Sequence, residues 1–192
     1  MTTYPKTVSL GDRYAEITVV IVTVIALLAG WYYKTSVETR SVAFESGFIS
    51  ASLPAGWLKS ETQGGDLVTV KDFTSSGFPT TFSIRQSQVS KDVTYNLFAS
   101  AETRTLSQDL IAFRVLSQQK VIVNGAEAFE IKYVFVDSDP NAARQDLPAI
   151  VKGLEYIFIK DGQAVVVTYQ ADQADYEAGL GLFRRFLSSV KY

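Results

Sequence analysis

The chain has 192 residues, enough for one ordinary domain and a short appendage, and its formal charge of −2 leaves no basic surface of the kind nucleic acid requires. It contains no cysteine and no histidine. Disulfides, thiolate and imidazole metal sites, and cysteine- or histidine-dependent catalysis are therefore excluded, and an enzyme would have to work with carboxylates, Lys, Tyr or Ser alone.

Seventeen residues without a charge, ITVVIVTVIALLAGWYY, run from Ile17 to Tyr33. As a helix they span roughly 25 Å, near the lower limit for crossing a bilayer core. The run is apolar around its whole circumference, with Ile17, Val20, Val24, Leu27 and Leu28 suited to lipid. It closes on Trp31, Tyr32 and Tyr33, an interfacial aromatic belt, followed by the snorkelling cation Lys34. The expected layout is an N-terminal tail over 1–16, a transmembrane helix over 17–33, a linker over 34–41 and a folded domain over 42–192. A cleaved signal peptide is the main competing reading, but bulky Trp31-Tyr32-Tyr33 stands where a peptidase needs small residues. Lys6 and Arg13 precede the run while Lys34 and Arg40 follow it, so the charge bias is slight. The signal-anchor layout places the protein in the cell membrane as a single-pass chain, with its C-terminal domain on the extracytoplasmic, periplasmic or lumenal side. Thr18, Thr23 and Gly30 are small or weakly polar residues that could face another helix, or belong to a lone anchor.

After the linker, Val42-Ala43-Phe44 and Phe48 to Leu53 predict an opening hairpin, and Pro54-Ala55-Gly56 turns the chain into Trp57. Leu67–Phe73 and Thr80–Val89 alternate apolar and polar residues around the turn Ser75-Ser76-Gly77, a second hairpin. Thr94 to Phe113 lacks that alternation, and Leu97, Ala101, Leu106, Leu110 and Phe113 fall near helical spacing, with Asp92 placed to cap the helix. Val121-Ile122-Val123, Asn124-Gly125 and the alternating Phe129, Ile131, Tyr133 and Phe135 predict a hairpin, because Asn-Gly accepts the positive φ of a type I′ turn. Leu154–Ile159, Lys160-Asp161-Gly162 and Ala164–Tyr169 repeat the pattern. Tyr176, Leu180, Phe183, Leu187 and Val190 recur every three or four residues, a closing amphipathic helix with Asp172 as its cap. Asp175 and Glu177 near its start and Arg184, Arg185 and Lys191 near its end suit its dipole. The order implies an α+β fold, a mainly antiparallel sheet covered by helices.

Asp137-Ser138-Asp139-Pro140-Asn141 begins like a calcium loop, but Ala142 stands where that loop needs Gly and Pro148 where it needs the bidentate Glu, so a solvated loop is the better reading. Gly64-Gly65-Asp66 and Gly179-x-Gly181 lack the Lys and the glycine spacing of a phosphate loop, and the latter pair suits close helix packing. Trp57, Tyr133, Tyr156 and Tyr169 could line a ligand cleft, yet aromatics on alternating strand positions fit a core better. No catalytic residue, cofactor site or metal site emerges.

The element order, the Leu53-Pro54-x-Gly56-Trp57 turn, the Asn124-Gly125 hairpin and the closing helix resemble the PsbP-like family over about residues 43–190. That resemblance implies an α/β/α sandwich without enzymatic activity, among extrinsic subunits of photosynthetic complexes and their bacterial relatives. Metal roles of family histidines do not carry over to a chain without histidine. The expected function is a non-catalytic accessory subunit of a membrane protein complex, photosynthetic or respiratory, with the bilayer and other subunits as partners and no nucleic acid. The alternative is a membrane-anchored protein that binds a small ligand or ion, and an enzyme using carboxylates has the least support.

Overall fold

The structure, a computed structural model, describes residues 10–38, 40–60, 65–74, 77–138 and 148–192. The chain divides into two units, Met1–Arg40 and Ser41–Tyr192. Within the first, helix α1 spans Leu10–Glu38, longer than the apolar run at both ends because no proline interrupts the flanking residues. Its segment Glu16–Lys34 is the one helix among the described residues long and apolar enough to cross a membrane, with the length and composition shared by anchors and signal sequences. Ile17, Val20, Val24, Leu27, Leu28, Trp31, Tyr32 and Tyr33 are all exposed. The hydroxyls of Thr18 and Thr23 donate to the carbonyls of Tyr14 and Val19, each at 2.8 Å, so neither needs a partner helix to satisfy it.

The second unit is an α+β sandwich. Strands β1 (Ser41–Ser46) and β2 (Ile49–Pro54) form a separate hairpin. A short edge strand β3 (Leu58–Ser60), absent from the sequence reading, follows Trp57. It leads to β4 (Asp66–Asp72) and β5 (Thr80–Gln88); residues 75 and 76 of the expected turn lie outside the described residues. Helix α2 (Tyr95–Asp109) precedes β6 (Ile111–Val123), β7 (Ala126–Asp137), β8 (Ala149–Lys160) and β9 (Gln163–Asp172), and α3 (Tyr176–Ser189) closes the chain. The seven-stranded sheet runs β3-β4-β5-β9-β8-β7-β6, antiparallel throughout. Asn124 and Gly125, at φ 52° and 81°, and Asp161 and Gly162, at 50° and 77°, make the two tight turns with the left-handed geometry that a two-residue hairpin demands.

Three expectations change. Helix α2 stops at Asp109, and Phe113 belongs to β6, where its ring lies 5.4 Å from that of Tyr133. Leu110 and Phe113 continue the helical spacing by coincidence, since a strand entered through Ala112 at φ 52° also returns Phe113 to the core side. The α2 cap is Thr94, whose hydroxyl accepts from the Leu97 N–H at 3.3 Å, because extended backbone is needed directly before the first turn and Asp92 lies too far upstream. Asp172 does not cap α3: its carboxylate accepts from the Ala174 N–H in the preceding turn, and Asp175 stands at the N-cap without a side-chain bond. Val190 follows the helix as its C-cap.

Alternation along the strands creates two unlike faces. One is apolar and carries α3 together with the β1–β2 hairpin. Phe82 is its centre, 4.5 Å from Trp57, 5.5 Å from Tyr169, 5.3 Å from Phe183 and 5.1 Å from Phe186, ring to ring. Each such ring removes enough apolar surface to contribute about 1.5–3 kcal/mol. Paired backbone bonds between Ser50 and Lys191 and a 2.8 Å bond from the Ser52 N–H to Ser189 Oγ fasten the hairpin to the end of α3. The opposite face carries α2 over β6, β7 and β8, with Ala99 packed among Phe129, Ile131, Tyr133, Phe135, Val151 and Ile157.

Candidate functional site

Helix α2 covers only the β6–β8 end of its face. On the remainder, strand alternation presents Thr69 and Lys71 of β4, Thr81, Ser83 and Arg85 of β5, Thr168 and Gln170 of β9, and Glu155 of β8. The register aligns them in rows. Thr69, Ser83, Thr168 and Glu155 pair in turn across four neighbouring strands, and Lys71, Thr81, Gln170 and Gly153 form the next row. These side chains, with Asp66 and, from α2, Glu102 and Leu106, line a cleft of about 280 Å³.

Glu155 lies at the inner end of the first row and is 3% exposed. Its Oε1 accepts from the Tyr133 hydroxyl at 3.3 Å and from Thr168 Oγ1 at 3.4 Å, both long, while its Oε2 is buried without a hydrogen-bond partner. The neighbouring cation is already engaged: Arg85 Nη2 donates to Glu102 Oε1 in a partly buried ion pair. Burial, then the charge of Glu102, push the Glu155 carboxyl up to about 8, against the opposing pull of Arg85. Burial likewise raises Asp66, against a 2.8 Å hydrogen bond from Thr69 and the charge of Arg85. Burial disfavours the charge of Arg85, but its bond to Glu102 together with the charges of Glu102, Glu155 and Asp66 outweighs that and holds it above its usual value. Burial and the charge of Glu155 raise the Tyr133 hydroxyl well above the phenol range, so it stays a neutral donor, and it accepts in turn from Gln170 Nε2 at 3.0 Å. Gly153 makes this possible, since a Cβ there would lie 2.2 Å from the Tyr133 ring.

A second cavity, of about 330 Å³, lies on the α3 face beside Glu130, Lys132, Lys152, Tyr156 and Arg184. Its buried carboxylate is fully engaged. Glu130 accepts from the Tyr156 hydroxyl at 2.7 Å, from Gln119 Nε2 at 2.8 Å and pairs with Lys132 at 3.1 Å. Burial works to raise its pKa, and those bonds with the charge of Lys132 outweigh it, leaving Glu130 below the ordinary carboxylate value. Lys152 is also occupied, 5.4 Å from the centre of the Tyr176 ring.

Of the aromatic residues singled out in the sequence, Tyr133 and Tyr169 are fully buried, and Trp57 and Tyr156 sit half-buried at the edge of the α3 core. Of these, Tyr133 touches the wall of the polar cleft, through the bonds of its hydroxyl to Glu155 and Gln170. Asp137 ends β7, while residues 139–147, and with them most of the calcium-like segment, lie outside the described residues, as does Gly64. Gly179 does serve close packing, since a Cβ there would stand 2.2 Å from the Tyr169 hydroxyl, but Gly181 faces open space. Among the described residues no three His, Cys, Asp or Glu side chains are grouped to hold a metal ion. Glu155, Arg85 and Glu102 are absent from the sequence reading; the available signal was one carboxylate, Glu155, set in the otherwise apolar and aromatic stretch Leu154-Glu155-Tyr156-Ile157-Phe158.

No family model matches the sequence, and no curated protein matches it. Solved structures do resemble it. The solution structure of cyanobacterial PsbP (CyanoP) from Synechocystis sp. PCC 6803 superposes with a TM-score of 0.59 at 14% identity, over 79% of this chain and 91% of that one. A protein of unknown function from Pseudomonas aeruginosa, described as a putative regulator, follows at 0.50 and 11% identity, over 80% and 97%. The Ran-binding protein Mog1p of Saccharomyces cerevisiae reaches 0.47 at 13% identity, over 77% and 88%. At these identities the likeness is one of fold, and the domain has a PsbP-like fold.

Proposed function

We propose that this chain is a non-catalytic accessory subunit of a photosynthetic or respiratory membrane complex, held in the cell membrane by α1 and presenting its PsbP-like domain on the extracytoplasmic side. The observation that carries this reading is the exposed apolar helix Glu16–Lys34 joined in one chain to a domain of PsbP-like fold. An apolar surface of that length has no stable place in water, and insertion in lipid takes its side chains out of water while the helix's own hydrogen bonds satisfy its backbone. Anchoring also raises the effective concentration of a weak docking surface next to its partners, so modest contacts suffice for assembly. The lack of His and Cys supports a binding role over a catalytic one.

The test is gentle solubilisation of native membranes followed by native gels and mass spectrometry of the co-migrating chains. The expected result is migration in an assembly much larger than 21.2 kDa plus detergent. A free monomer at every detergent concentration defeats the accessory reading, and release of the intact chain by carbonate washing defeats the anchor. Exchanging α1 for an unrelated apolar helix then locates the recognition, in the helix if co-migration is lost and in the domain if it persists.

A further inference from the structure

The polar cleft holds three carboxylates, and they are not equally provided for. Glu102 has the Arg85 guanidinium, and Asp66 has the Thr69 hydroxyl at 2.8 Å. Glu155 is the most buried of the three and has an oxygen with no partner. A buried polar atom left without a partner costs free energy, and Glu130, one strand away on the other face, shows that this fold can saturate such a group from its own side chains. Glu155 is part of the cleft wall, so an outside partner for the buried Oε2 can enter from the cleft by shifting the side chains that now cover that oxygen.

We propose that the cleft binds a small organic cation, a primary ammonium or guanidinium compound, whose N–H groups bond Glu155 Oε2 and the hydroxyls of Thr168 and Ser83. The wall already contains this chemistry once, in the Arg85–Glu102 pair, and the ligand supplies its second instance. The row Thr69-Ser83-Thr168 offers hydroxyl oxygens in register with Glu155, suited to the two or more remaining N–H donors of such a group. The volume of about 280 Å³ lies just below the ~300 Å³ at which pockets for drug-sized ligands begin, so the occupant is small. A metal ion fits less well, since the described acidic residues form no coordinating group of three and hard cations take about six oxygens.

The groups facing Glu155 set the pH dependence. Tyr133 from β7, Thr168 and Gln170 from β9, Arg85 from β5, Asp66 and Lys71 from β4, and Glu102 from α2 surround it. Apart from Arg85, bonded to Glu102, and Lys71, no cation among the described residues of that wall offsets the three acids. A bound cation therefore drives Glu155 to ionise and releases its proton, and affinity rises with pH, by up to about tenfold per unit below the carboxyl's own titration.

The inference does not depend on the accessory-subunit reading, since it concerns a site within one domain. It is tested by isothermal titration of the full-length protein in dodecyl maltoside with butylammonium and butylguanidinium chlorides, against butanol and calcium chloride. Two buffers of different ionisation enthalpy report the proton. The expected result is saturable binding of one or both organic cations, with proton release at pH 7 and tighter binding at pH 8 than at pH 6. Glu155→Gln should weaken it at least tenfold, and Thr168→Val, which keeps the carboxylate, severalfold. Absence of cation binding, equal binding of butanol, binding of calcium alone, or wild-type affinity in both variants each overturns the proposal.

Discussion

Glu130 and Glu155 occupy adjacent strands of the same sheet, are 6% and 3% exposed, and point to opposite faces. Glu130 receives bonds from Tyr156, Gln119 and Lys132 and is held below the ordinary carboxylate value; Glu155 has two long bonds on one oxygen, none on the other, and is pushed up to about 8. Burial alone would drive both upward, so the difference lies in the donors each face provides and in the charge of Glu102 beside Glu155. The α3 face saturates Glu130 from its own side chains beside an aromatic core, and the α2 face leaves Glu155 incomplete beside a cleft. A fold can hold a buried acid either as a satisfied part of its framework or as a group whose satisfaction is deferred.

The most severe way to break this contrast is to bring an unsatisfied charge into the aromatic core of the α3 face. Phe183 is fully buried, its ring 5.1 Å from Tyr169 and 5.3 Å from Phe82. Phe183→Asp should cost about 3–5 kcal/mol or unfold the domain, read in denaturant melts, because nothing in that stack can pair a carboxylate. A loss under about 1 kcal/mol would mean that α3 does not pack where it is described.

A subtler change removes the charge from the other face. The folded Glu155 carboxyl, at about 8, binds its proton more tightly than the unfolded one, whose ordinary value is 4.5. The stability it contributes is thus fully present below about pH 4.5 and is lost as pH rises through 8. Glu155→Gln should match the wild type near pH 5 and exceed it at pH 9 by roughly 1–3 kcal/mol, in thermal or urea melts across that range. Glu130 works in the reverse sense: its lowered carboxyl stabilises above the unfolded value and loses that contribution as pH falls, so Glu130→Gln should flatten the acid limb instead. Identical alkaline limbs in wild type and Glu155→Gln would place the titrating group elsewhere.

The smallest effect sharpens the boundary of α2, the element that leaves the cleft open. Thr94→Ala should cost about 1 kcal/mol by removing the hydroxyl that caps the Leu97 N–H, while Asp92→Ala should be nearly neutral. The reverse order in chemical melts would return the cap to Asp92.

These elements also show what the sequence could reveal. Asn124-Gly125 and Asp161-Gly162 were legible because a two-residue turn demands positive φ and few residues accept it. Helix α3 was legible because its stripe meets one continuous apolar face. The end of α2 was not, because Leu110 and Phe113 satisfy the helical period while a left-handed Ala112 turns the chain into β6. The cleft was illegible for a different reason. Alternation along β4, β5 and β9 reads as a solvent face, and only strand order and register bring Thr69, Ser83 and Thr168 into line with Glu155. The Arg85–Glu102 pair joins a strand to a helix by no spacing rule at all. Glu155 itself left a trace, as an acid within a stretch that should be buried on both sides.

The order of the strands bears on when that line of side chains comes into being. Strands β6 to β9 pair with their neighbours in chain order, as do β3 to β5, so each block assembles from local contacts. The seam between β5 and β9 is the exception, joining Gln88 to Gln163 and Ser83 to Thr168 across the whole of α2 and the β6–β8 meander. Contacts so distant in sequence carry the largest loop-closure entropy and form late. Thr69 and Ser83 stand on one side of the seam, Thr168 and Glu155 on the other. The cleft is therefore absent from every partly folded form in which the seam is open, and its ligand can recognise only a finished domain.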